Sequence, residues 1–181
     1  MASSLQTIRP YVITVLCLLM MLMIKPAESD QALVDKVCSS GENVDSSYCQ
    51  KLFKQDAFSL ASNLSGLARI ALANIKFKAS FNKKTFVDTQ PDIPQLCSDE
   101  YDSVFVKVRR ACKMNFENLV GTGNDYPLEE TVATVLSGAD ACYSDFSEPL
   151  GSETNKELIK LAAILQCIID LGRQMKCAVA C

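Results

Sequence analysis

The sequence predicts an all-α fold: an antiparallel four-helix bundle with an N-terminal helical hairpin, stapled by disulfides. Three observations predict it. Apolar residues recur at helical spacing along most of the chain. Eight cysteines, an even set, follow an N-terminal segment of the secretory kind. Histidine is absent, so whole classes of catalytic chemistry are excluded.

Residues 1–29 read as a signal peptide. Arg9 supplies positive charge, and Tyr11 to Ile24 is apolar apart from Thr14. Lys25 and Pro26 break the run, and Ala27-Glu28-Ser29 places small residues where a signal peptidase inspects the chain. The run falls short of the about 20 apolar residues that span a bilayer. Cleavage after Ser29 removes Cys17 and leaves Cys38, Cys49, Cys97, Cys112, Cys142, Cys167, Cys177 and Cys181. In an oxidising compartment such a set reads first as disulfides. The expected location is therefore extracellular. Residues 30–181 have the length of one domain, with no linker and no internal repeat. Losing Arg9, Lys25 and Glu28 moves the net charge from −3 to −4. That balance argues against nucleic acid, anionic membranes and polyanionic sugars as ligands, and favours a protein partner or a neutral ligand.

Residues 31–54 read as two short helical pieces flanking Ser39-Ser40-Gly41. Cys38 precedes that turn and Cys49 lies beyond it, so a bond between them would make a helical hairpin. A first long helix carries the stripe Ala57, Leu60, Leu64, Leu67, Ala71 and Ile75. Pro91 and Pro94 keep residues 88–94 out of the neighbouring helices. A second stripe runs Tyr101, Phe105, Val108, Cys112, Phe116 and Leu119, and Gly121 and Gly123 end that helix. The third runs Leu128, Val132, Val135, Ala139, Cys142 and Phe146, with a start at Asn124 or Asp125 and Pro127 in the first turn. The fourth runs Leu158, Leu161, Leu165 and Ile168, widened by Ala162 and Ile169, with a start at Ser152 and Glu153. Every stripe reads as core packing.

Cys97 lies at the start of one helix and Cys142 toward the end of the next. In antiparallel neighbours those ends meet, so a bridge is natural. Chain-entropy arguments give about 3 kcal/mol for Cys38–Cys49 and about 4 kcal/mol for Cys97–Cys142. Cys112 and Cys167 lie on apolar stripes and read either as buried free thiols or as bridge partners. Cys177 and Cys181 are one helical turn apart and within reach of each other, although a regular helix strains such a bond.

Without histidine there is no Ser-His-Asp or Cys-His nucleophile pair and no His-liganded zinc. Glu129 and Glu130 are neighbours on a helix, so their side chains diverge. They read as a solvated acidic first turn. The sequence therefore assigns no catalytic residue, no metal site and no cofactor, and the chain reads as a non-enzyme. Asn63-Leu64-Ser65 is a glycosylation sequon; Leu64 lies on a core stripe, which turns Asn63 partly outward.

The order of several segments resembles the plant invertase and pectin methylesterase inhibitor family. The hairpin contains Ser46-Ser47-Tyr48-Cys49-Gln50-Lys51-Leu52. A Cys-x3-Tyr stretch follows at Cys97 and Tyr101. A Ser-Ala-Ala…Thr-Cys-x-Asp-x-Phe-like stretch is matched by Ser137, Ala139, Cys142 and Phe146, with Asp145 one place late. The resemblance spans residues 30–181. It implies a four-helix bundle with a helical hairpin, bridges at Cys38–Cys49 and Cys97–Cys142, and a non-catalytic protein that occludes the substrate cleft of a carbohydrate-active enzyme. Invertase inhibitors of the family carry Pro-Lys-Phe before the helix with the fourth cysteine. This chain has Asp125-Tyr126-Pro127 there, which looks more like the pectin methylesterase branch. The expected partner is pectin methylesterase; the alternatives are acid invertase, or a divergent helical protein that inhibits neither. Asp125, Tyr126 and Pro127 are the candidate contact residues, Tyr126 as a rigid aromatic anchor. A secreted lipid carrier with eight cysteines would show adjacent Cys-Cys and Cys-x-Cys steps, and neither occurs here.

Overall fold

Capping chemistry and one central apolar helix set the architecture. The computed structural model describes residues 29–56, 63–87, 95–113, 125–143 and 149–180. Six helices account for nearly all of these residues: α1 (Ser29–Ser40), α2 (Ser46–Gln55), α3 (Leu64–Asn82), α4 (Gln95–Cys112), α5 (Tyr126–Tyr143) and α6 (Pro149–Ala180). A π-helical turn, Lys83–Val87, extends α3. Among the described residues there is no strand, and no helix is long and apolar enough to cross a membrane. The expectations placed on the signal peptide up to residue 28, on Ala57, Leu60, Pro91, Pro94, Phe116, Leu119, Gly121, Gly123, Asn124 and Phe146, and on Cys181 lie outside these residues. The side chain of Cys177 lies outside them too.

The helix starts show which local signals win. Asp45 caps α2 by accepting the Tyr48 N–H at 3.0 Å. Asn63 caps α3 by accepting the Gly66 N–H at 2.9 Å, so this helix begins at Leu64. α6 begins at Pro149, three residues before the start expected at Ser152. Proline fits a first helical position because it lacks an N–H that would go unpaired there anyway.

α6 is the element around which the others gather. Leu158, Leu161, Ile164, Leu165, Ile168 and Ile169 are fully buried. The apolar face is wide because α3, α5 and both hairpin helices pack against it. α4 completes the contacts by packing on α3 and α5. Directions follow from the cross-links. The end of α3 meets the start of α6 through Lys78 and Glu157. The end of α4 meets the start of α5 through Lys107 and Glu130. The start of α5 meets the later part of α6 through Arg173.

Two disulfides join this frame. Cys38 is bonded to Cys49, with Cα atoms 5.5 Å apart, which ties α1 to α2. Cys97 is bonded to Cys142, at 5.2 Å, which ties the start of α4 to the end of α5. Cys112 differs from the expectation of a buried or bridged thiol. It is free and exposed at the last residue of α4, while its neighbour Ala111 stays buried. Cys167 is free and buried, and its thiol donates to the Val37 carbonyl at 3.2 Å.

One buried polar cluster marks where three helix ends meet. Asn82 at the end of α3, Tyr101 in α4 and Asn155 in α6 are all at most 2% exposed. The Tyr101 hydroxyl donates to Asn155 Oδ1 at 2.5 Å. Asn82 Nδ2 donates to the Tyr101 hydroxyl at 3.0 Å and to Asn155 Oδ1 at 3.2 Å. Burial pushes the Tyr101 hydroxyl up to about 12, against the two asparagine hydrogen bonds, which act to lower it, so it stays neutral and available as a donor.

The hairpin rests on α6 through a second polar contact. Lys160 Nζ lies 2.9 Å from Asp45 Oδ2 and 5.3 Å from the centre of the Tyr48 ring. At Gly41 an added Cβ would meet Val44 Cγ2 at 2.5 Å, so any larger residue in the turn between α1 and α2 would force the Val44 side chain to move. The Tyr48 N–H, then Lys160 and Ser47, hold the Asp45 carboxyl down at about 2. A depressed carboxyl contributes stability that is present above its unfolded value of about 3.9 and lost as pH falls through its folded value. Between about pH 4 and pH 2 the stability of wild type therefore drops more than that of Asp45→Asn. Urea melts across that range check this, and parallel pH profiles would refute it.

Candidate functional site

The turn that opens α5 combines a fixed backbone with one projecting aromatic side chain. The Asp125 carbonyl accepts from the N–H groups of Leu128 and Glu129, at 2.9 and 3.1 Å, and starts the helix. Asp125 itself is 2% exposed. Its Oδ2 accepts from Arg173 Nε at 3.1 Å, while Arg173 Nη2 donates to Glu129 Oε1 at 2.6 Å. One guanidinium fork thus joins the first turn of α5 to α6. Glu129 and, to a lesser extent, Asp125 raise the Arg173 guanidinium further above its ordinary value.

Glu130 reaches the other way. Its Oε1 accepts from Lys107 Nζ at 2.5 Å, and its Oε2 lies 3.6 Å from Arg110. The Lys107 hydrogen bond, helped by the charges of Lys107 and Arg110, holds the Glu130 carboxyl below its usual range. The two glutamates do diverge, but they are not a simple solvated turn. Each finds a cation on a different neighbouring helix, and together they fix the start of α5 between α4 and α6.

The three candidate contact residues therefore take different roles. Asp125 points inward to the ion pair. Pro127 is buried, and its carbonyl accepts from the Thr131 hydroxyl at 2.7 Å. Tyr126 is 65% exposed. Of the three, it alone offers a side chain to a partner. Neither Arg173 nor Lys107 stands out in the sequence. Each reads there as an ordinary cation on a helix. Only the packing of helices brings Arg173 to carboxylates 44 and 48 positions away, and Lys107 to one 23 positions away.

Asn63 is exposed, and only its side-chain oxygen is used in the cap. The amide nitrogen, the atom that carries an N-linked sugar, is not needed for the cap. Ser65 of the same sequon is 9% exposed. Among the described residues, no group of three or more Cys, Asp and Glu side chains is placed to hold a metal ion.

Fold and site together define a disulfide-stapled, all-helical protein that presents an exposed aromatic residue from a turn clamped by ion pairs. No family model matches the chain, and no curated protein matches it.

Proposed function

We propose that this protein is a secreted inhibitor that binds pectin methylesterase one-to-one and covers its substrate cleft. In this reading α3 to α6 form an antiparallel four-helix bundle, and the α1–α2 hairpin is its N-terminal addition. The order of motifs that resembles the inhibitor family supports it, together with the two disulfides. The observation that carries it is Tyr126, a large exposed side chain on a turn held by ion pairs to α6. Rigid aromatic anchors lose little entropy on binding and dominate many interfaces. Asp125, Glu129 and Arg173 supply the rigidity and need not touch the enzyme.

Replacing Tyr126 with Ala removes an exposed side chain and is expected to leave the melting temperature within about 2 °C of wild type, as for surface changes generally. Inhibition of pectin methylesterase is expected to weaken by at least about tenfold, the loss of a modest interface anchor. Titration calorimetry with the enzyme and thermal melts of the free variant check both halves. Inhibition unchanged by the substitution would remove this turn from the interface.

A further inference from the structure

A cleft of about 500 Å³ opens between the hairpin turn, α5 and α6. That volume falls within the about 300–1,000 Å³ of small-molecule sites. Its walls are aliphatic: Val44 from the turn, Val132 and Leu136 from α5, Ile159 and Ala163 from α6. Leu136 is 40% exposed and Ile159 37% exposed, so apolar surface lies open there. Two carboxylates, Glu42 and Asp170, also line the cleft, and among the described residues no lysine or arginine does.

The cleft has an acidic end and an apolar end. Gly41, next to Glu42, lies against Cys167: an added Cβ would sit 3.5 Å from the Cys167 Cβ. Asp170 follows Cys167 on α6 by about one helical turn. Glu42 and Asp170 therefore flank the same end. Burial, and then the charge of Asp170, push the Cys167 thiol up, so the field of that carboxylate reaches into the cleft. From Gly41 the turn runs back along α6, because Asp45 pairs with Lys160. Val44 is thus carried toward Ile159, at the apolar end. α5 has the same sense. Its Glu129 meets Arg173, and Val132 and then Leu136 lie progressively further from that contact. From Ile159 to Asp170, α6 rises roughly 16 Å at about 1.5 Å per residue.

The acidic end keeps its charge. Neither Glu42 nor Asp170 makes an ion pair among the described residues. Asp170 Oδ1 accepts from Gln166 Nε2 at 3.0 Å, which orients the carboxylate. The cations that flank this stretch of α6 are held elsewhere: Lys160 by Asp45, and Arg173 by Asp125 and Glu129.

We propose that this cleft binds an aliphatic amine, its alkyl body among Val44, Leu136 and Ile159 and its ammonium group at Glu42 and Asp170. Charge and shape select the class. An anionic ligand would meet two like charges at the polar end, and a neutral one would gain nothing from them. The walls hold no aromatic ring to stack on, which suits an alkyl chain. Once bound, the amine joins the hairpin turn to α5 as well as to α6.

Binding is measured without any enzyme, so its outcome is separate from that of inhibition. The oxidised protein is titrated calorimetrically with octylamine at mildly acidic pH, where the amine and both carboxylates are charged. Octanol, octanoate and butylamine are the comparisons. Octylamine is expected to bind one-to-one. Octanol should bind about fivefold more weakly, the scale of two exposed ion pairs, and octanoate more weakly still. Each methylene withdrawn from water is worth about fourfold in affinity, so butylamine should bind at least about tenfold more weakly than octylamine. Glu42→Gln with Asp170→Asn should bring octylamine to the level of octanol and leave octanol unchanged. Both side chains are exposed, so this variant is expected to fold. Ala163→Leu narrows the middle of the cleft and should weaken octylamine binding at unchanged charge. No binding of octylamine overturns the proposal. Octanol or butylamine binding as tightly as octylamine overturns it, and so does an octylamine affinity indifferent to the carboxylate substitutions. Undiminished binding to folded Ala163→Leu places the amine elsewhere and overturns it too.

Discussion

Cys97→Ser is expected to lower the stability of the oxidised protein by about 4 kcal/mol, more than any other single substitution predicted for a disulfide or surface position of this chain. The bond closes 45 residues between Cys97 and Cys142, and freeing a loop of that size returns most of this free energy to the unfolded chain. The substitution also places a hydroxyl at a site 1% exposed and leaves the buried Cys142 thiol without its partner. The bridge joins α4 to α5 at the end opposite the Lys107–Glu130 contact, so its loss leaves those helices fastened at one end only. Removing the shorter Cys38–Cys49 bridge should cost less, about 3 kcal/mol, and should first free the hairpin. Urea melts of the oxidised proteins decide this. The Cys97→Ala, Cys142→Ala double variant excludes exchange with the free thiols of Cys112 and Cys167. A loss below about 1 kcal/mol would show that the helices hold their places without the bond.

Asn155→Leu is the second large effect, expected at about 2–4 kcal/mol. Leucine nearly fills the same space, so the cost comes from polarity and little from packing. The Tyr101 hydroxyl loses its acceptor, and Asn82 loses one of its two, all within a site at most 2% exposed. A buried donor without a partner forfeits its hydration with nothing in return. The effect should be strongly non-additive. Adding Tyr101→Phe to Asn155→Leu removes the orphaned hydroxyl but also takes the last acceptor from Asn82 Nδ2, so the two losses should not add. Additive losses in that cycle would mean that the three side chains do not act as one network.

Much of the frame is legible in the sequence because it depends on local period. Leu64, Leu67, Ala71 and Ile75 are all buried, as are Leu128, Val132, Val135, Ala139 and Cys142. The stripe in the last helix is buried without exception. The Cys97–Cys142 bridge follows from which helix ends meet in an antiparallel pair, and the Cys38–Cys49 bridge from a turn between two short helices; the structure forms both. What escapes are pairings that no spacing encodes. Asn82 and Asn155 are 73 residues apart, and each looks like a solvent-facing amide in its own helix. Glu129 and Glu130 read as a solvated pair because their partners, Arg173 and Lys107, lie on other helices. Cys112 continues an apolar stripe by spacing, yet it is exposed at the end of α4 while Ala111 beside it is buried. The start of α6 reads three residues late from the sequence because Ser152 offers a familiar cap, whereas Pro149 takes the first helical position. Resemblance locates the candidate contact turn, but only the structure separates the exposed Tyr126 from the inward Asp125 and Pro127.

A paired assay tests whether the whole protein inhibits. Refolded, oxidised protein is titrated at mildly acidic pH against pectin methylesterase and, in parallel, against acid invertase. With no histidine in the chain, any loss of binding between about pH 5 and 7 has to come from carboxylates on this protein or from groups on the enzyme. Saturating inhibition of pectin methylesterase at one molecule per enzyme is expected, with little effect on invertase. Inhibition of neither enzyme at any pH tested would contradict it.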